Sequence, residues 1–281
     1  MSTPCSLGAL AEPLAGTAPH ARGWLVLEHA GPYSRIATDV LGDIAEPLRR
    51  SCKDAGITVL LARRERAAGR HAFLARDGRL LEWAEADPVE FLHVDWNSGD
   101  IDGLPPGATV SEQPVMFVCT NGKRDACCAQ FGRPVADALM REDPRVWECS
   151  HIGGHRMAPT AVLLPLGAVH GRLTFDSART ALAMLRDGRC SVETLRGLSH
   201  LAPDEQVADI AVRRAAGVTE AIHLDVRCAG DDAQRECLVT HPDGRSWRVS
   251  LSRHSGTDRP ESCGKEPVTP EWWAAERVDA G

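Results

Sequence analysis

Gly23–Glu28 (GWLVLE) and Ile57–Ala62 (ITVLLA) are the two stretches that decide the fold. Each is a short apolar run with the length of a buried strand. Between them, Asp39–Ala55 repeats apolar residues at helical spacing, with Val40, Ile44, Leu48 and Cys52 on one face. Gly56 then stands where a helix-ending glycine belongs. Strand, helix and strand in this order predict parallel pairing and an α/β layer. Further on, His71–Leu74 and Leu80–Trp83 flank Asp77-Gly78, a hairpin turn signal.

From Trp96 to Pro114 the periodicity disappears, and Gly99, Gly103, Pro105, Pro106, Gly107 and Pro114 accumulate. This reads as the connection between two domains. A second unit opens with a strand, Val115–Cys119 (VMFVC). A helix follows from the N-cap Asp125 to about Met140, then a strand at Arg145–Ser150. Ala161–Leu164 and Ala168–Leu173 form the arms of a hairpin, and a helix covers Ser177–Asp187. This order fits a thioredoxin-like layer arrangement. Beyond it come a helix at Pro203–Ala216 and strands at Ala221–Arg227, Arg235–Thr240 and Ser246–Leu251. The Pro-rich tail, His254–Gly281, reads mostly as loop. The expected organisation is an N-terminal α/β domain (1–108), a thioredoxin-like domain (109–200) and a helix-plus-strands extension (201–281).

The net charge of −7 over 281 residues includes no long run of one sign. It lacks the basic footprint of a nucleic-acid binder. No apolar stretch has the length of a membrane span. Met1–Ala21 has neither a basic leader nor a continuous apolar core, so a cytoplasmic location is expected. In such a reducing compartment the ten cysteines are not expected to form structural disulfides. They are buried fillers, reactive thiols or metal ligands. Cys5, Cys52, Cys190, Cys228, Cys237 and Cys263 are scattered and read as structural.

Two local groups stand apart. Cys119 ends a strand, and Cys127 and Cys128 follow the loop Thr120–Asp125. His151-Ile-Gly-Gly-His155 follows another strand end. Two thiolates and two imidazoles make a full set for zinc, or the outer set of a two-iron cluster. Two histidines four apart on a helix would suggest a zinc protease, but that motif needs Glu after the first His, where this chain has Ile152. Gly153 and Gly154 would each cost a helix about 1 kcal/mol. The segment is therefore a loop, whose glycines would let backbone approach a cluster. Cys149 reads as core or as a neighbour of the site, and His170 as a satisfied or exposed histidine. Lys123 and Arg124 default to a solvated loop.

Cys119-Thr-Asn-Gly-Lys-Arg-Asp-Ala-Cys-Cys128, followed by Trp147-Glu-Cys-Ser-His-Ile-Gly-Gly-His-Arg156, resembles the sucrase/ferredoxin-like family. Gly16-Thr-Ala-Pro19, Trp24–Glu28 and Gly171-Arg172-Leu173 extend the resemblance over most of the chain. The resemblance implies a thioredoxin-like ferredoxin with a [2Fe–2S] cluster, one iron held by two cysteines and the other by two histidines. Carried over, the ligands fall on Cys119, Cys128, His151 and His155. The family spacing prefers Cys128 to its neighbour Cys127. The implied activity is electron transfer with a separate redox partner protein, a reductase or acceptor. No sucrase activity is expected, since no local pattern nominates the paired carboxylates a glycosidase needs.

Three rivals share the same residues: a zinc site on the same four ligands, a metal-free thiol oxidoreductase using Cys127 or Cys128, and a non-catalytic interaction module. A thiol oxidoreductase would normally carry Cys-x-x-Cys, whereas here the cysteines are adjacent. Replacing two thiolates by neutral imidazoles removes negative charge from a cluster. In Rieske centres this raises the potential from about −400 mV to roughly −150 to +300 mV. Reduction also raises the pKa of the ligating imidazoles, which couples electron uptake to proton uptake. The midpoint potential is accordingly expected to fall as pH rises. Voltammetry across acid to alkaline pH checks this, and a flat profile would refute it.

Overall fold

A computed structural model describes residues 4–64, 69–97 and 103–281; Gly99 of the Gly/Pro-rich segment lies outside them. The chain is a mixed α/β protein organised as two compact units. One comprises Ala21–Ile152 and Ala161–Gly167; the other comprises residues up to His20, Gly153–Thr160 and Ala168–Gly281.

The Ala21–Ile152 unit is built on eight strands. They are β1 (Gly23–Glu28), β2 (Ile57–Arg63), β3 (Ala72–Arg76), β4 (Arg79–Trp83), β5 (Thr109–Val110), β6 (Val115–Cys119), β7 (Val146–Cys149) and β8 (Ala161–Leu164). Their order in the sheet is β8-β6-β7-β2-β1-β3-β4-β5. β1 and β2 pair in parallel, Gly23 opposite Ile57, as their apolar runs predict. β6 and β7 are also parallel, with Cys119 opposite Cys149. Both faces of β6 are covered, so all five of its residues are buried. Ala62 and Arg63 of β2 pair with Cys149 and Glu148 of β7, so strands on either side of the Gly/Pro-rich segment share one sheet. Thr109–Val110, within that segment, adds to β4. The hairpin between β3 and β4 turns at Asp77 and Gly78, both at positive φ.

The helix expected over Asp39–Ala55 is interrupted. A 3-10 segment, Ala37–Ile44, leads into α1 (Ala45–Asp54). Gly42, at φ +65°, breaks the continuity that apolar spacing alone suggests. α1 buries Ala45, Leu48 and Cys52 against a core that includes Leu25, Leu61, Trp83 and Phe91. The helix begun after Asp125 passes through a π turn, Cys128–Gly132, before continuing as α2 (Arg133–Glu142).

In the other unit, β9 (Ala168–His170) pairs with β10 (Leu195–Leu198). α3 (Phe175–Arg186) and α4 (Pro203–Ala216) accompany them. A four-stranded antiparallel sheet is formed by β11 (Asp225–Gly230), β12 (Gln234–Thr240) and β13 (Ser246–Ser255); a short ribbon, β14 (Arg259–Pro260) with β15 (Pro267–Val268), precedes its last strand, β16 (Glu271–Ala280). The tail is thus not mostly loop. Glu271–Ala280 lacks strict alternation, but its backbone pairs with the long β13 from Ser255 to Trp247. Cys228 and Cys237, opposite one another on β11 and β12, form a disulfide, contrary to the expectation of none. Cross-strand neighbours stand close enough in an antiparallel ladder for this, whatever their sequence separation. In α4, Asp209 and Arg213 are fully buried and paired at 2.8 Å, and Arg213 also donates to the carbonyls of Glu220 and Ile222.

Two histidines of this unit are held neutral. His170 is buried, with Nδ1 3.0 Å from Thr194 Oγ1. Burial, and secondarily Arg196, pulls its pKa down to about 4. His200 is drawn down to about 3, first by burial and then by His223, His20 and Arg213. An unfolded histidine titrates near 6.5, so below that pH the unfolded chain binds protons that the folded chain refuses. Stability contributed by these groups is intact above pH ~6.5 and is lost as pH falls towards ~4. For His170 alone the loss is about 3 kcal/mol. Urea denaturation at about pH 7 and about pH 4.5 should show it, with a smaller difference in His170→Asn.

Candidate metal centre

The site grows from the C-terminal end of β6. Cys119 is the last residue of the strand, and the next residue, Thr120, donates its N–H to the Cys149 carbonyl at 3.0 Å. The Thr120 hydroxyl donates to Glu148 Oε2 at 2.7 Å. Glu148 is paired through its other oxygen with Arg63, and its carbonyl accepts from the Tyr33 hydroxyl at 3.3 Å. The Arg63 guanidinium lies 4.5 Å from the centre of the Tyr33 ring. This frame fixes where the chain leaves the strand.

The loop that follows is pinned by side chains. Asn121 Nδ2 donates to the Ser34 carbonyl at 3.0 Å, and Asn121 Oδ1 accepts from the Lys123 N–H at 3.2 Å. Asp125 Oδ1 accepts from the Cys127 N–H at 2.9 Å, as expected of a residue starting a helix. The π turn then comes against the strand end. A Cβ on Gly132 would stand 2.2 Å from the Cys119 carbonyl oxygen, so only glycine permits this approach. π turns of this kind recur at functional sites.

His151 arrives from β7. Its neighbour Ser150 donates its N–H to the Leu61 carbonyl at 2.7 Å and accepts the Leu61 N–H on Oγ at 3.0 Å. The His151 Nδ1 lies 3.9 Å from Cys119 Sγ and 3.8 Å from Cys128 Sγ. The three donor atoms all lie within 4.8 Å of one another. Cys119 and Cys128 are each 1% exposed, and His151 is half-buried.

The two thiols shift one another in opposite directions. Donation from Cys128 holds the Cys119 pKa well below the usual thiol range; the His151 ring and the Ile152 N–H add to this against the cost of burial. Cys128 is correspondingly pushed up, first by its bond to Cys119 and then by burial. Cys149 is also raised, by burial and by the charge of Cys119, and stays a neutral thiol beside the site.

Of the four residues singled out by sequence, Cys119, Cys128 and His151 are brought together. Cys127 is not part of that trio. His155 belongs to the other compact unit, where it opens a 3-10 turn, His155–Met157. The preceding glycines have a local role there. Gly153 and Gly154 have φ of +115° and +67°. A Cβ on Gly154 would lie 2.1 Å from Arg196 Nη2, and Arg196 Nη1 donates to the Gly153 carbonyl at 2.9 Å. The Glu148–Arg63–Tyr33 frame and Gly132 were not singled out from sequence. Only the Gly132-Arg-Pro134 interruption of the helix hinted at the latter.

These features define an α/β protein with two buried cysteine sulfurs and an imidazole at ligand-like separations, a donor set that suits a soft or borderline metal. The chain belongs to the sucrase/ferredoxin-like family, whose model matches residues 14–197. No curated protein and no solved structure matches it.

The trio makes a direct prediction. Cys119→Ala and Cys128→Ala should each lose most of the bound metal, whereas Cys127→Ala and Cys149→Ala should keep it. The metal-to-protein ratio of each purified variant checks this. Retention by Cys128→Ala with loss in Cys127→Ala would move the ligand by one residue.

Proposed function

We propose that this protein is an electron carrier holding a [2Fe–2S] cluster on Cys119, Cys128, His151 and His155. The observation that carries the reading is the trio itself. Two buried sulfurs and one ring nitrogen meet at 3.8–3.9 Å at the edge of a rigid sheet. Membership of a ferredoxin-like family supports a redox role for such a set. His155 completes the set on the strength of its sequence motif, four positions beyond His151.

When bound, such a cluster supplies one-electron chemistry. The chain's own residues do the rest. Burial of both sulfurs keeps water away from them. The Ile152 N–H aimed at Cys119 is a hydrogen bond of the kind that tunes a cluster's potential. Thr120, Glu148 and Arg63 hold the strand end in place. The half-exposed His151 is the ligand through which a partner protein would make electronic contact.

A second reading has its own support. Ligands of a single tetrahedral ion with bonds of about 2.0–2.3 Å stand roughly 3.6 Å apart. Ligands on two different bridged irons stand further apart. The 3.8 and 3.9 Å separations between His151 and the two sulfurs lie closer to the single-ion value. One zinc ion on the same ligands is therefore the alternative.

Anaerobically purified protein separates the two. The proposal expects a reddish-brown solution with visible absorption, and iron and acid-labile sulfide in equal amounts near two per chain, about the stoichiometry of the cluster. A colourless protein with about one zinc per chain would replace it by the single-ion reading. In the cluster-bearing protein, His151→Cys should retain the cluster at a lower potential, because a thiolate restores negative charge.

A further inference from the structure

The Ala21–Ile152 unit contains a cleft of about 360 Å³ that opens beside His151. Its walls carry the cations Arg35, Arg49, Lys53 and Arg124, and no Asp or Glu lines it among the described residues. This is unexpected in a chain whose net charge is −7. Arg49 is already engaged, at 2.8 Å from Thr38 Oγ1 and 3.1 Å from Asp39 Oδ1, and is also paired with Glu46. Arg35, Lys53 and Arg124 have no ion pair among the described residues. The remaining wall combines Thr58 and Ser150 hydroxyls with the apolar flanks of Ile57 and Val59.

We propose that this cleft binds a small organic anion, one bearing two or more carboxylate or phosphate groups on a short apolar body. Three cations with no ion pair among the described residues lower the potential energy of an anion in a concave space, where field lines are focused. The hydroxyls supply orienting donors, and the apolar residues accept a carbon skeleton. The volume lies in the range of small-molecule sites. The bound anion stands next to His151, which makes it an electron acceptor or donor, or an effector of the metal centre. That last step rests on the proposed function; the binding itself does not.

The test uses the full chain, with citrate and pyrophosphate as probes in titration calorimetry at low ionic strength. Wild type is expected to bind at least one of them. The double variant Arg35→Gln/Arg124→Gln should bind it about tenfold or more weakly, since charged hydrogen bonds to the anion are lost. Arg248→Gln, on an exposed position of β13, should bind as wild type does. A thermal melt confirms that the variants fold. Failure of wild type to bind either probe, or equal binding by the double variant, overturns the proposal. Binding of poly-glutamate with no response to the small anions also overturns it, in favour of a protein-docking surface. Metal content is measured on the same samples. Anion binding in a chain devoid of metal sustains this inference and sinks the electron-carrier reading. A loaded cluster with no anion binding does the reverse.

Discussion

A charged sulfur inside a protein has to be compensated where it lies. Cys119 is the sulfur whose surroundings favour that state, and the arrangement around it fits the requirement. Taken out of water, a thiolate is disfavoured by desolvation, and only nearby donors or positive charge reverse the balance. Here the Cys128 thiol, the His151 ring and the Ile152 N–H converge on it. They come from two parts of the chain: the π turn, and the His151-Ile152 segment that follows β7. A site that biases one of two contacting thiols toward its thiolate favours metal binding, because metals take the deprotonated form.

What lets these parts converge is backbone geometry. Parallel pairing of β6 with β7 puts the ends of both strands on the same edge of the sheet, so Cys119 and the chain leading to His151 emerge together. The helix between them then has to begin close to that edge. Gly132 removes the one obstacle, since any side chain there would collide with the Cys119 carbonyl. The π turn, with its extra residue, swings Cys128 toward the strand end. Glu148, pinned by Thr120, Arg63 and Tyr33, acts as a keystone that ties β7, β2 and the β6 exit into one rigid frame.

Much of this was legible in the sequence, and for identifiable reasons. β1, β2 and β6 are continuous apolar runs, because strands covered on both faces need no polar alternation. Gly56 and Asp77-Gly78 marked their turns through the backbone conformations they alone adopt easily. Cys119, Cys128 and His151 were visible as residue types at strand ends. What escaped was whatever depends on a partner distant in sequence. Glu271–Ala280 is a strand because β13 is there to receive it, not because of its own pattern. Cys228 and Cys237 join because ladder register sets them opposite each other. Gly42 breaks a helix whose apolar spacing is otherwise intact. The loop glycines were assigned to a cluster's neighbourhood, whereas Gly154 makes room for the Arg196 guanidinium.

The contrast between the two faces of His151 carries the functional argument furthest. On one side it meets two sulfurs in a space closed to water. On the other it borders a cleft whose walls are cationic and hydroxyl-bearing. An acidic protein does not accumulate unbalanced arginine and lysine in a concavity for solubility, since charge scattered over the surface achieves that at less electrostatic cost. Among the described residues, Arg35, Lys53 and Arg124 form no ion pairs, whereas Arg49 and Arg63 do. A half-buried imidazole between the two sulfurs and such a cleft is a shared wall, so a change of charge on one side is felt on the other across a single ring. On the proposed reading, that proximity would tie the chemistry of a metal held by Cys119, Cys128 and His151 to the occupancy of the cleft.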